Sequence, residues 1–335
     1  MMPTLSSMRP GNVRHSILLV LGLLIMLFIL GLWLLSSLNL SFAQKAMGDL
    51  RQQQITDTFY ANLDRINSHH AMMEENTLDL ARLSQQWQRL NGSRDDLQQL
   101  LHNMLSDFPD AYGASLYLQP GQRQRPAAIN LFAYREQQQV KVETDSSQSP
   151  QRINALRDKL QQQSQSPALY WTPAYYRNRS DAVVISLSTP IHDQQGNWLG
   201  IAATDWRADD IIRLVSRVEV TPGTFAFLLD RENRNLSSLA LADTPRAQQL
   251  MDAISARELH TYQGNKNPAR VLSARDLLAP MHREQLQLDS DSFVLFFSTT
   301  RAGMVFGIGV PQAEIDAVLA PMRATNLRLI LVIGS

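Results

Sequence analysis

Val183-Val-Ile-Ser-Leu-Ser-Thr-Pro190-Ile-His-Asp193-Gln-Gln-Gly196-Asn-Trp198-Leu-Gly200-Ile-Ala-Ala-Thr-Asp205 is the stretch on which the fold turns. Its two halves, Ala182 to Ile191 and Trp198 to Asp205, are β-rich runs. Asp193-Gln-Gln-Gly196 between them has the polar, glycine-ended composition of a hairpin turn. Leu169 to Trp171 supplies a third neighbouring strand. Upstream, Ala114 to Leu118, Ile129 to Tyr134 and Gln139 to Val142 are further short strands, and Arg152 to Gln163 reads as a helix. Asp209 to Val218 returns to helix after the hairpin.

The same order then recurs. Pro222-Gly223 opens a second cycle, with Phe225 to Asp230 strand-like and Asp230 to Asn233 a polar turn. Thr244-Pro245 starts a helix to about Ala256, Phe293 to Ser298 and Met304 to Val310 form a hairpin, and Gln312 to Met322 is helical. The likeness between the cycles is one of element order, with no residue-level repeat.

Ahead of both cycles lies a long helical stretch. From Ala43 to Trp87 there is no proline and only one glycine, Gly48. Met47, Leu50, Phe59, Leu63, Ile66, Met73, Leu80, Leu83, Trp87 and Leu90 trace one apolar stripe. At 1.5 Å per residue, Lys45 to Trp87 would extend roughly 60 Å. Asn91-Gly92 stops the helix. Ser93 is suited to cap the next one, whose stripe is Leu97, Leu100, Leu101, Met104 and Leu105. The long stripe is buried in its own domain or shared with a dimer seam; sequence alone leaves both open.

Between His15 and Lys45 the chain carries no charge. Ser16 to Leu35 is apolar enough to cross a hydrocarbon core about 30 Å thick as a helix. Arg9 and Arg14 precede it and predict a cytoplasmic N-terminus. Ser41-Phe-Ala43 resembles a signal-cleavage site, but the apolar run exceeds the roughly 7–15 residues of a signal peptide. The expectation is a retained anchor. Leu329 to Ile333 turns apolar again and reads as the start of a second span.

Composition narrows the function. Basic and acidic residues balance at 31 each, so no global field exists to attract nucleic acid. The absence of cysteine excludes disulfides, thiol catalysis and thiolate metal sites. No phosphate-cradling Gly-x-x-x-x-Gly-Lys loop and no Gly-x-Ser-x-Gly elbow occurs. His69 and His70 are adjacent on a helix and diverge by about 100°, a poor geometry for one metal ion. His282-Arg-Glu284 lacks the second histidine of a zinc-protease helix. Surface or turn positions explain the histidines. Asp209-Asp210 suits a helix N-terminus, and Gly307 and Gly309 suit close backbone approach in a strand. Neither catalysis nor a cofactor or metal is expected of this chain.

Three stretches carry a family resemblance. They are Trp171-Thr-Pro-Ala-Tyr175-Tyr176, the Val183 to Asp205 hairpin, and Thr221 to Asp230 with Met304-Val-Phe-Gly-Ile-Gly-Val-Pro311. Together they resemble the double Cache family of extracytoplasmic sensor domains in bacterial signal transducers. The resemblance implies an α+β fold: a long N-terminal helix, then two PAS-like Cache modules of antiparallel sheets flanked by helices, bracketed by transmembrane helices. The implied layout is a cytoplasmic N-terminus (1–15), a transmembrane helix (16–38), a stalk helix and its successor (39–110), a membrane-distal module (111–220), a membrane-proximal module with exit helix (221–322) and the start of a second transmembrane helix (326–335).

The resemblance further implies a small-molecule ligand in the distal module of an inner-membrane protein whose sensor domain is periplasmic, with a homodimer as the expected state. A cytoplasmic chemoreceptor domain, histidine kinase, phosphatase or diguanylate cyclase would receive the signal. By position Trp171 and Tyr175 would line the pocket, and Asp205 would face an amine or hydroxyl. Against that stand a simply packed turn beside Pro173 and an Asp205 that caps the next helix. The amino-acid-binding branch of the family has an Arg closely followed by Trp-Tyr, which is absent; Arg152 and Arg157 lack such companions in sequence. Arg177 stands where that branch often has Asp, and a planar cation there would favour a ligand with an acid group. The alternative is that Arg177 and Arg179 are solvated loop charges. Two other functions stay open: a ligand-free structural or protein-interaction ectodomain, and a membrane-anchored periplasmic enzyme.

Overall fold

The computed structural model describes residues 10–120, 128–136, 139–145, 150–163, 168–177, 183–215, 220–236, 245–259 and 280–317. Helix α1 runs unbroken from Pro10–Arg89, and α2 (Arg94–Asp107) follows. Ser93 caps α2 as expected: its hydroxyl accepts from the Asp96 amide, and the Asp96 carboxylate accepts from the Ser93 amide. Two compact units divide the chain, Ile55–Gln312 and the remainder. Both sheets belong to the first of these.

The remainder contains the start of α1. Side chains from Ile17 to Leu35 are exposed there, and α1 is the one helix among the described residues apolar and long enough to cross a membrane. The expected second span, 326–335, lies outside the described residues, as does the exit helix beyond residue 317.

The first sheet comprises β1 (Gly113–Leu118), β2 (Ile129–Glu136), β3 (Gln139–Thr144), β4 (Tyr170–Trp171), β5 (Tyr175–Tyr176), β6 (Val183–His192) and β7 (Trp198–Arg207). Its order is β3-β2-β1-β7-β6-β4, with β5 also on β6, and the pairs are antiparallel. Helix α3 (Pro150–Gln161) precedes β4, and α4 (Ala208–Val215) follows β7 with Asp209 and Asp210 in its first turn.

The second sheet is β8 (Phe225–Leu229), β9 (His282–Leu288), β10 (Asp291–Thr299) and β11 (Val305–Pro311), in the order β8-β11-β10-β9. Helix α5 (Pro245–Ser255) covers one face, and α6 (Gln312–Ala317) continues directly from β11. Strand β9 has no counterpart among the strands expected from the sequence. Its residues are largely polar and only Leu286 is buried, as befits an edge strand.

One face of each sheet rests on α1. Phe59, Leu63, Ile66, His70, Met73, Thr77, Leu80, Ser84 and Trp87 are all buried along the helix, spaced alternately by four and three. Three of these nine positions are polar, which hid them from an apolar-stripe reading. Thr77 Oγ1 lies 2.6 Å from Thr204 Oγ1 of β7 and donates to or accepts from it. The Phe59 ring stacks on Phe306 of β11, with centroids 5.3 Å apart. Met47, Leu50, Leu83 and Leu90 of the predicted stripe are exposed. Trp206, on the face that meets α1, packs edge-on against His69, while His70 is buried against Trp171. His70 is therefore a core residue, not a surface one.

In the second sheet the opposite face is filled from within. Phe225 and Phe227 sit directly across from Gly309 and Gly307 in the β8–β11 register, and their rings lie over those glycines. A Cβ on Gly307 would come 2.1 Å from Phe227 Cζ. Met251 and Ile254 of α5 complete the packing with Leu295 and Phe297.

Candidate ligand site of the first sheet

Because side chains alternate across a strand, residues of equal parity on paired strands make rows. Away from α1, one row reads Tyr170, Ser188, Ala203, Ser115, Phe132, and the next Ser186, Asp205, Gly113, Tyr134. The middle of both rows is small. That leaves a hollow floor, which α3 covers with Ile153, Ala155 and Leu156.

The cavity measures about 230 Å³. Tyr117, Tyr170, Thr172, Tyr175, Arg177, Ser186, Ser188, Ala203 and Asp205 line it from the sheet side, and Arg152 and Lys159 from α3. Tyr175, Arg177 and Asp205, all singled out in the sequence, meet here. Trp171 does not. Adjacent strand residues point to opposite faces, so Tyr170 looks into the cavity and Trp171 packs on His70 with ring centroids 5.1 Å apart.

Asp205 caps no helix. It lies inside β7, wholly buried, where Oδ1 accepts from the Ser186 hydroxyl and Oδ2 from the Arg177 guanidinium. Arg177 is no solvated loop charge either. It is buried, donates also to Asp145 Oδ2 at 3.0 Å and to Ser115 Oγ at 3.3 Å, and lies 3.6 Å above the centre of the Phe132 ring. Arg179 lies outside the described residues. Burial works against the Arg177 charge, but Asp205, with Tyr117, Tyr175 and Asp145 beyond it, holds the guanidinium well above the usual arginine range.

Asp145 escaped the sequence reading. It follows β3 directly, is buried, and accepts from the Tyr117 hydroxyl at 2.9 Å. No local pattern marks it, because its role depends on β3 meeting Arg177 in space. Tyr175 donates to Ser186 Oγ at 2.7 Å, since the one Ser186 proton is given to Asp205, and burial followed by the Asp205 charge pushes its phenol up to about 12. The Tyr175 hydroxyl therefore acts as a neutral hydrogen-bonding group at physiological pH.

Arg152 has its aromatic companion in space rather than in sequence: the guanidinium sits 4.8 Å from the Tyr175 ring centre, and Arg157 sits 5.2 Å from that of Trp198. Ser188 is unlike its neighbours. Its hydroxyl lines the cavity, the residue is only 1% exposed, and Oγ has no hydrogen-bond partner. A buried, unsatisfied hydroxyl costs about 1–3 kcal/mol, so a partner supplied from the cavity would be stabilising. Among the described residues no cluster of three or more His, Asp or Glu side chains is arranged to hold a metal ion.

A long helix carrying two antiparallel sheets, with a walled cavity on the first, is a two-module architecture. Residues 97–213 match the family model described as methyl-accepting chemotaxis protein-like, first PDC sensor domain. Over most of its length the chain shares its fold with the double Cache/PDC-like sensor domains of chemoreceptors and histidine kinases.

Solved structures with this fold include the ligand-binding domain of the Campylobacter jejuni chemoreceptor Tlp3 with 4-methylisoleucine, at 16% identity and a TM-score of 0.56, covering 82% of this chain and 96% of that one. The same domain with L-valine matches at 16% identity and TM-score 0.54, covering 82% and 98%. The extracellular domain of the histidine kinase soHK1S-Z6 matches at 12% identity and TM-score 0.54, again covering 82% and 98%. No curated protein matches the chain.

Proposed function

We propose that this chain senses a small molecule outside the cytoplasmic membrane and relays its occupancy inward. The cavity beneath α3 is the binding site, in the module farther from the membrane, and the unpartnered Ser188 hydroxyl within it carries the proposal. The apolar start of α1 is the anchor, with Arg9 and Arg14 on the cytoplasmic side. The sensor region is periplasmic in a bacterial inner membrane, and it works as a homodimer. The receiver is a cytoplasmic signalling domain of chemoreceptor or histidine-kinase type.

The charges inside the cavity revise the basis of ligand preference. Arg177 is engaged with Asp205 and Asp145, so it is not the group that would attract an acid. Arg152 and Lys159 on α3 bring positive charge to the opposite wall. A small organic acid suits that arrangement, with its acid group toward α3, its apolar body against Leu156 and Ala203, and a hydrogen-bonding group at Ser188. Amino acids, which the Tlp3 domain binds, are members of this class. Signalling then requires that the ligand prefer one of two arrangements of the domain, since a ligand with equal affinity for both shifts nothing.

The test is a thermal-shift and calorimetric screen of the full chain in detergent against amino acids, other organic acids and amines. A hit whose affinity falls at least tenfold in both Lys159→Ala and Ser188→Ala supports the site. A blank across the panel, or a hit indifferent to both substitutions, sinks it.

A further inference from the structure

The loop that forms one wall of the cavity is held by a turn of the other sheet. Residues Trp171 to Tyr175 join β4 to β5, and Tyr170, Thr172 and Tyr175 look into the cavity. Facing this loop is the turn Asp230–Arg234 that follows β8. Asp230 is wholly buried. Its Oδ1 accepts from the Glu232 and Arg234 amides of its own turn, both at 2.9 Å. Oδ2 accepts from Arg234 Nε at 2.9 Å and, across the module boundary, from the Ala174 amide at 3.2 Å.

Arg234 closes the ring. Its Nη2 donates to the Ala174 carbonyl at 2.6 Å, so one Asp–Arg pair holds both backbone groups of Ala174. Arg231 adds a longer contact to the Trp171 carbonyl, 3.4 Å, with its guanidinium 5.7 Å from the Tyr170 ring centre. On its other side the loop is stitched to β6, where the Thr172 amide donates to the Ser186 carbonyl and the Ser186 amide to Thr172 Oγ1.

We propose that Asp230 and Arg234 are positioning residues for the ligand cavity, and that their hold on Ala174 is the mechanical link between the two modules. This role rests on the cavity being the ligand site. Whatever packs against Thr172 and Tyr175 moves a peptide whose N–H and C=O are both fixed to the second module. That turn is the continuation of β8, β8 pairs with β11, and β11 runs into α6. Coupling of this kind is reciprocal: loosening the turn loosens the cavity wall, and disturbing the wall disturbs the turn by the same factor.

The reciprocity can be read without any ligand, by hydrogen exchange on the full chain in detergent. Arg234→Met should speed exchange in residues 170–177 by about tenfold, the loss expected for a charge-assisted hydrogen bond, while the amides of β10 stay unchanged. Arg234→Lys should recover part of the protection. Tyr175→Phe, which removes only the hydroxyl bonded to Ser186, should speed the Glu232 and Arg234 amides in the native background and have no further effect in Arg234→Met. If Arg234→Met does not fold, Arg231→Met should produce the same pattern at smaller amplitude. Loosening confined to 230–235, loosening spread equally into β10, or a Tyr175→Phe effect that is absent or simply additive each overturns the link. A blank ligand screen combined with reciprocal exchange would discard the sensing role and keep the link; a ligand hit without reciprocity would do the opposite.

Discussion

The Arg177 guanidinium lies 3.6 Å above the Phe132 ring while it donates to Asp205 and Asp145. One cation thus joins β7, the end of β3 and the ring of β2 into a single buried network. Removing it leaves two carboxylates in a dry site. Arg177→Met should destabilise the fold by about 3–5 kcal/mol, measured by urea unfolding at neutral pH. Adding Asp205→Asn to that variant should return part of the loss. A cost below about 1 kcal/mol would show that the network does not hold the sheet edge.

Ser188 should behave oppositely with and without ligand. Its hydroxyl is buried and unpartnered, so Ser188→Ala should leave the free protein unchanged or raise its stability by up to about 1 kcal/mol. The same substitution should weaken any ligand that bonds to it. Thermal unfolding of the free chain checks the first half; a clear fall in melting temperature would mean that the hydroxyl already has a partner.

His70 gives the fold an acid-side sensitivity. The residue is 1% exposed, and burial first, then the charges of His69 and Arg301, lower its pKa to about 3. The groups around it are Trp171, His69, Glu74 on the next turn and Arg301, which bonds Glu74 at 2.5 Å. In the unfolded chain it titrates near 6.5. The folded value is the lower of the two, so the unfolded state takes the proton. The stability that the neutral imidazole secures is complete above pH 6.5 and is lost as pH falls toward 3, by up to about 1.4 kcal/mol per pH unit. His70→Leu should flatten that part of the stability-versus-pH curve. Parallel curves for the two proteins would rule out His70 as its source.

Gly307, like Gly309, leaves no space for a side chain in the second sheet. A methyl group there meets the Phe227 ring, so Gly307→Ala should cost about 1–3 kcal/mol. Phe227→Leu in the same chain should recover much of it, because a smaller side chain frees the space over β11. The double-mutant cycle is the measurement, and simple additivity would contradict the contact.

Most of the architecture was written in periodicities. The alternation Ile185, Leu187, Thr189 against Val184, Ser186, Ser188 already separates a face for packing from a face with room on it. The hairpin, the Ser93 cap and the order of the two cycles follow from local chemistry in the same way. What stayed hidden needed partners distant in sequence. His70, Thr77 and Ser84 complete the buried seam of α1 but look like breaks in it. Strand β9 is polar because it is an edge. In the site, Tyr175, Arg177 and Asp205 were legible from family spacing, but that spacing could not say that Arg177 would turn inward to neutralise Asp205. Trp171 was carried over by its position in the same family element, whereas strand parity selects Tyr170.

The rings of Phe225 and Phe227 have a consequence for how the two sheets differ. Both sheets have a floor of small residues, and in the second the chain itself furnishes the occupant, laid permanently across Gly309 and Gly307. The second sheet is in that sense a receptor already satisfied by its own phenylalanines. The space over those glycines is filled at the moment of folding by the chain's own rings, and no exchangeable occupant is called for there.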